Sequence, residues 1–93
     1  MFSWDIRKAI SNFEKHGVSL EETATSFDDQ TGLAVPDLEH STVEERRQRV
    51  AMSESGRVLL TVYTVRRLKS GKETTRIISA RQASRRERQA YYG

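Results

Sequence analysis

At 93 residues the chain is expected to form one domain, residues 1–93, with a single modest core. It has no cysteine, which excludes disulfides and thiolate metal sites, and no apolar run approaches the roughly 20 residues that a membrane helix needs. The net charge of +3 hides two unlike halves: through Glu45 ten acids face only Arg7, Lys8 and Lys15, whereas from Arg46 onward thirteen Lys and Arg face Glu54, Glu73 and Glu87.

The opening Met-Phe-Ser-Trp-Asp lacks the basic and apolar regions of a secretory signal, so a cytoplasmic protein is expected. Trp4, Ile6, Ala9, Ile10 and Phe13 form one helical stripe, with Asp5 as N-cap and Gly17 just past the C-terminus, which predicts a first helix over Ile6–Lys15. Ser19-Leu20-Glu21-Glu22 has the spacing of a capping box and opens a second helix. Leu20, Ala24 and Phe27 form its apolar side, and Asp28-Asp29 ends it.

Leu33-Ala34-Val35 predicts a short strand stopped by Pro36, which cannot donate to a ladder and so suits a sheet edge. A polar loop, Asp37 to Ser41, follows. Glu44 to Ser53 is expected to be a strand. A helix competes there, because Val43, Arg46, Arg47 and Val50 also fit a 3.6-residue period. The strand is preferred because Glu54-Ser55-Gly56-Arg57 is a hairpin turn into Val58–Val65, a run apolar on both faces and therefore central. A turn over Leu68–Glu73 leads to a fourth strand, Thr74–Ala80. Ser84-Arg85-Arg86-Glu87 then opens a terminal helix with a second capping box, and Tyr91-Tyr92 is expected to dock it, with stacking on bases as the alternative. The order ααββββα predicts an α+β domain: two N-terminal helices, a four-stranded, mainly antiparallel sheet, and a C-terminal helix, in two layers with the helices on one face.

Twelve of the sixteen basic residues are Arg, whose planar fork matches phosphate and stacks on bases, so the basic half suggests a nucleic acid or an acidic partner. His16 and His40 are far apart in sequence and carry no ligand spacing, and the five glycines are isolated, so neither a metal, a cofactor nor a phosphate loop is expected. The inventory suits RNA cleavage by 2′-hydroxyl attack, which requires a base, an acid and cations around the phosphate. His16, at the end of the first helix, Glu45, Arg46, Tyr63, Ser79 and Arg81 are the candidate catalytic residues. Four of them also have a structural reading: His16 as a helix-end residue, Glu45 and Arg46 as a cross-strand or local ion pair, Tyr63 as sheet packing. Lys15, Arg47, Arg49, Arg76, Arg85 and Arg88 are the candidate RNA contacts. If the strand registers agree, the sheet face away from the helices brings Arg, Tyr and Ser side chains together.

Phe2-x-Trp4-Asp5, Lys15-His16-Gly17-Val18, Phe27-Asp28-Asp29, Asp37-x-x-His40-Ser41 with Glu45-Arg46, Arg76-Ile77-Ile78-Ser79-Ala80-Arg81, and Arg85-Arg86-Glu87-Arg88 before Tyr91 together resemble the BrnT toxins. The resemblance spans nearly the whole chain in order. It implies a RelE-like ribonuclease toxin of a bacterial type II toxin–antitoxin module. It further implies neutralisation by a BrnA-type antitoxin, a DNA-binding protein, with operator DNA bound only through the complex. Two toxin and two antitoxin chains are expected, because such antitoxins dimerise to read paired half-sites. An acidic or amphipathic antitoxin segment over the Arg-rich half is one way to exclude RNA. The alternative class is a non-catalytic basic module that binds nucleic acid through the same Arg residues.

Overall fold

The computed structural model describes residues 1–36 and 46–93. The expected polar loop from Asp37, His40, Glu45 and the start of the strand expected at Glu44 lie outside the described residues. Strand β1 (Phe2–Ser3) leads into helices α1 (Ile6–His16) and α2 (Leu20–Thr25) and a short 3₁₀ turn, Ser26–Asp28. Strands β2 (Leu33–Pro36), β3 (Arg47–Met52), β4 (Val58–Arg67) and β5 (Glu73–Gln82) follow, and helix α3 (Arg85–Tyr92) comes last. Among the described residues no helix is long and apolar enough to cross a membrane.

Among the described residues the sheet has five strands in the order β1-β5-β4-β3-β2. The β2–β5 ladders are antiparallel as expected, and β2 lies at an edge. The four-strand expectation is corrected by β1, which pairs parallel with β5 through Phe2–Thr75 and Ser3–Arg76 and makes the sheet mixed. Two residues are too few to show an alternating pattern, so nothing in the local sequence announces this strand.

The two-layer expectation is corrected as well. Helices α1 and α2 cover one face, where Val18, Leu20, Leu59, Ile77 and Ala80 form a buried cluster flanked by Trp4, Ala9, Ala24 and Phe27. Val50, Val58, Leu60 and Ala83 form a second cluster, with Met52 and Tyr91 packed against it. Leu59 and Leu60 are adjacent on β4 and so face opposite ways, which places α3 on the other side of the sheet. Tyr91 docks α3 there. Its hydroxyl donates to the Asp29 carboxylate, which also accepts from the Met52 backbone N–H at 2.9 Å and the Thr31 backbone N–H at 3.0 Å. The Tyr91 and Met52 hydrogen bonds hold the Asp29 carboxyl well below the usual range, and the hydrogen bond to Asp29 pushes the Tyr91 phenol up.

Local signals account for the helix ends. The Asp5 side chain accepts from the Arg7 and Lys8 N–H groups, and Gly17 stops α1 at φ 68°, a left-handed conformation that costs glycine little. Ser84 and Glu87 form the full reciprocal capping box at α3. At α2 the box is only half made. Ser19 accepts from the Glu22 N–H at 3.0 Å, but the Glu22 carboxylate turns away to the β3–β4 hairpin. There it accepts from Ser53, Ser55 and both the Nε and Nη2 of Arg57, and Arg57 also donates to the Gly17 carbonyl at 3.1 Å. This network ties the α1–α2 corner to the hairpin. The Arg57 hydrogen bonds outweigh burial and bring the Glu22 carboxyl down to about 2.

The largest departure concerns α1. Only part of its apolar stripe meets the core: Trp4 and Ala9 pack against it, but Ile6, Ile10 and Phe13 are 70, 56 and 57% exposed, whereas Asn12 is 6% exposed. The open edge of β5 explains the rotation. Beyond Arg76 that edge has no strand partner among the described residues, and Asn12 supplies one. Its amide nitrogen donates to the Ala80 carbonyl at 2.9 Å, and its oxygen accepts from the Ala80 N–H at 3.0 Å. The nitrogen also donates to the Val18 carbonyl at 2.9 Å. Three buried backbone groups are satisfied by one side chain, and orphaning them is more costly than exposing apolar area on a helix surface.

Two outcomes are expected. Asn12→Ala should lower unfolding stability by about 3 kcal/mol, read from urea melts, because it strands buried donors and acceptors together. A loss below about 0.5 kcal/mol would mean that water replaces the amide without cost. Glu22 is ionised in the fold well below its ordinary value of 4.5, so its network stabilises above that pH and is lost as pH falls toward 2. Glu22→Gln should therefore be less stable than the native chain at pH 7, with the difference shrinking across that window. A constant difference between pH 7 and 2.5 would contradict this assignment.

Candidate functional site

A cleft of about 290 Å³ opens between α1 and the outer edge of β5. Lys8, Ser11, Asn12 and Lys15 recur at i, i+3, i+4 and i+7 and so line one side of α1, and His16 closes the helix beside them. Ile78 and Ser79 face them from β5. A bulge brings these two residues to the edge. Val62 lies opposite Ser79 and Tyr63 opposite Ile77, so Ile78 is inserted and the strict alternation of β5 breaks there. Bulges re-aim side chains in this way, and they are common beside functional sites.

Two ammonium groups, an imidazole and two hydroxyls thus line one open cleft, and no carboxylate does so among the described residues. The arrangement suits an anion: the lysines offer charge and several donors, the serines offer hydrogen bonds, and the imidazole offers ring nitrogens that can donate or accept. Among the described residues no group of three His, Asp or Glu side chains is placed to hold a metal ion.

The structure therefore unites Lys15, His16 and Ser79, three of the residues expected from the sequence, and adds Lys8, Ser11 and Asn12. Those three were legible as a polar stripe spaced like the apolar one, but the apolar stripe dominates the reading of α1. The expected shared face of Arg, Tyr and Ser does not form, because its members point to opposite sides of the sheet. Tyr63 pairs with Arg47, and Thr61 with Arg49, on the side of α1 and α2. Tyr63 is only 7% exposed, with its ring edge-on to Phe27 at 5.0 Å. Phe27 also meets Phe2 at 5.1 Å, and the Arg49 guanidinium lies 5.6 Å from its ring centre.

Arg49 is packed rather than presented. It donates to the Asp29 carbonyl, and a Cβ added at Gly32 would come within 2.5 Å of its Nη2 and 2.7 Å of its Cζ, so the glycine makes room for the guanidinium. Arg81 gives both arms of its fork to Glu87, at 2.9 and 3.0 Å, and ties the end of β5 to α3. Burial raises the Glu87 carboxyl, but Arg81 and the capping hydrogen bonds outweigh it and the net shift is downward. An RNA phosphate would have to compete with this pair for Arg81. Arg46 is half-buried just before β3, Arg47 is exposed at its start, and Arg76 lies on β5 opposite Thr64. Arg85 and Arg88 are exposed on α3. None of these lines the cleft. Glu45 lies outside the described residues.

Comparison with known proteins adds the family. No curated protein matches the chain. A family model described as the ribonuclease toxin BrnT of type II toxin–antitoxin systems matches residues 4–87, a span that includes α1, every strand from β2 to β5, and the first turn of α3. The chain belongs to the BrnT family of ribonuclease toxins of type II toxin–antitoxin systems.

Proposed function

We propose that the chain is an endoribonuclease that cleaves RNA in the cleft between α1 and β5, without a metal ion, and thereby halts translation and growth until a BrnA-type antitoxin neutralises it. The observation that supports this reading most is the meeting of Lys8, Lys15, His16 and Ser79 around one open cleft, in a chain of a ribonuclease toxin family. In the proposed reaction a phosphate enters between the two lysines and accepts hydrogen bonds from Ser11 and Ser79. His16 takes the proton of the 2′-hydroxyl as its oxygen attacks the neighbouring phosphorus. The bond to the 5′ oxygen breaks, leaving a 2′,3′-cyclic phosphate, and solvent returns a proton to that oxygen. The lysines stabilise the charge that builds on the phosphoryl oxygens, which is the usual main term in such reactions.

Arg46, Arg76, Arg85 and Arg88 then extend the cationic surface along the RNA backbone, a role that needs charge and not close geometry. Tyr63 is enclosed by Phe27 and the sheet and takes no part in this site. The assembly proposed for the silenced state has two toxin and two antitoxin chains and acts in the cytoplasm, with operator DNA held by the antitoxin.

The purified chain should degrade RNA in the presence of EDTA and leave cyclic phosphate ends, and it should not cut a 2′-deoxy analogue. His16→Ala should lower the rate by roughly 10²–10⁴-fold, the usual worth of a positioned acid–base group, with the melting temperature little changed. Activity that vanishes in EDTA and returns with a divalent metal would reject the mechanism. Intact RNA with salt-sensitive binding would favour a non-catalytic module acting through the exposed Arg85, Arg86 and Arg88 of α3. In bacteria, expression of the chain alone should stop growth within one doubling, and co-expression of its cognate antitoxin should restore it. Normal growth at confirmed levels of folded protein would contradict the toxin reading.

A further inference from the structure

The face of α1 turned away from the cleft is apolar and uncovered. Ile6, Ile10 and Phe13 recur at i, i+4 and i+7, and all three are more than half exposed. With Trp4 and Ala9 they line a groove of about 440 Å³ between α1 and the start of α2. Large apolar side chains grouped in this way on a small monomer mark an interaction surface more often than chance exposure. The charged groups lining the groove, among the described residues, are Glu14 and Glu21. Both are carboxylates, in the half of the chain whose acids outnumber its bases.

We infer that this groove is the docking site for an amphipathic helix of the cognate antitoxin, with apolar residues at i, i+3 or i+4, and i+7, and with Lys or Arg beside them. The inference rests on the toxin–antitoxin reading above and adds the surface and the chemistry of its partner. An apolar helix face seats in such a groove as in other helix-in-groove complexes, and basic flanks meet the two carboxylates. A second copy of this chain fits less well, because the same groove brought to itself would set Glu14 and Glu21 against their own counterparts. RNA is repelled by the same charges. Because the groove and the cleft lie on opposite sides of α1, antitoxin docking and RNA cleavage are separable by mutation.

The test uses the full chain and its co-expressed antitoxin, with Ile10→Asp and Phe13→Asp as separate variants and Phe13→Ser as a milder one. Both positions are exposed, so circular dichroism and melting should stay near those of the native chain. Calorimetric affinity for the antitoxin should fall by roughly 100-fold or more, as expected for a central apolar anchor. RNA cleavage by the free variants should stay within a factor of two, and the antitoxin should no longer rescue growth. Unchanged affinity in folded variants would overturn the inference. So would loss of antitoxin binding on Arg85→Glu with Arg88→Glu while Ile10→Asp has no effect, which would place the partner on the Arg-rich half. A native chain that is dimeric at micromolar concentration and becomes monomeric with Ile10→Asp would assign the groove to a second copy instead. Loss of antitoxin binding in a chain whose native form cuts no RNA would leave the docking site standing and remove only the ribonuclease reading.

Discussion

The two-way pairing of the Asn12 amide with the backbone of Ala80 is the constraint on which the arrangement of this molecule depends. Strand β5 is flanked by β4 on one side, but on the other its short partner β1 reaches only as far as Arg76. The edge beyond would present unpaired backbone groups beside a hydrophobic core. Unpaired strand edges are a liability that folded proteins cover in one way or another. Here a single side chain acts as the missing strand, and its third hydrogen bond, to Val18, fixes the corner between α1 and α2 as well. Buried polar groups of this kind specify one arrangement because every alternative rotation of the helix leaves several donors and acceptors without partners.

Once Asn12 is placed, the rest of α1 has no freedom about its own axis. Lys8, Ser11 and Lys15 are carried to one side of Asn12, over the bulge of β5, and Ile6, Ile10 and Phe13 to the other, into solvent. The cationic cleft and the apolar groove are therefore two consequences of one buried amide. Basic groups gather where Ser79 is turned outward, and apolar groups gather where Glu14 and Glu21 stand. An eleven-residue helix thus separates the surface suited to a polyanion from the surface suited to a protein, although the chain as a whole has room for little more than one core.

How much of this is legible in the sequence follows from how local each cause is. Asp5, Gly17, Ser19 and Ser84 act within a few residues, and the helix starts and ends they imply are found in the structure. The run of β4, apolar on both faces, marks it as internal to the sheet for the same reason. The partners of Asn12 and Glu22 are another matter. Ala80 is 68 residues from Asn12, and Arg57 is 35 from Glu22. Nothing near Glu22 distinguishes a carboxylate that closes a capping box from one that leaves it half made to meet an arginine. The exposed stripe of α1 is the clearest case. Periodicity identifies the helix correctly, but it does not tell whether an apolar face meets the core or a partner, because both demand the same spacing. The bulge at Ile78 is likewise invisible locally. It shifts Ser79 relative to Tyr63, so a face assembled by counting alternate residues across β4 and β5 mixes side chains that the fold separates.

The match over residues 4–87 gives the ribonuclease toxin family, and the side chains that α1 and β5 bring together form a cleft suited to an anion. The claim joining them is that α1, held by Asn12, presents RNA with its polar side. The most direct measurement is the change in backbone amide shifts of the ¹⁵N-labelled chain on titration with a short RNA made uncleavable by 2′-deoxy substitution. The account predicts that the largest changes fall on Lys8, Ser11, Lys15, His16 and Ser79, with Ile6, Ile10 and Phe13 little affected. Changes confined to Arg85 and Arg88 of α3, with the cleft silent, would contradict it.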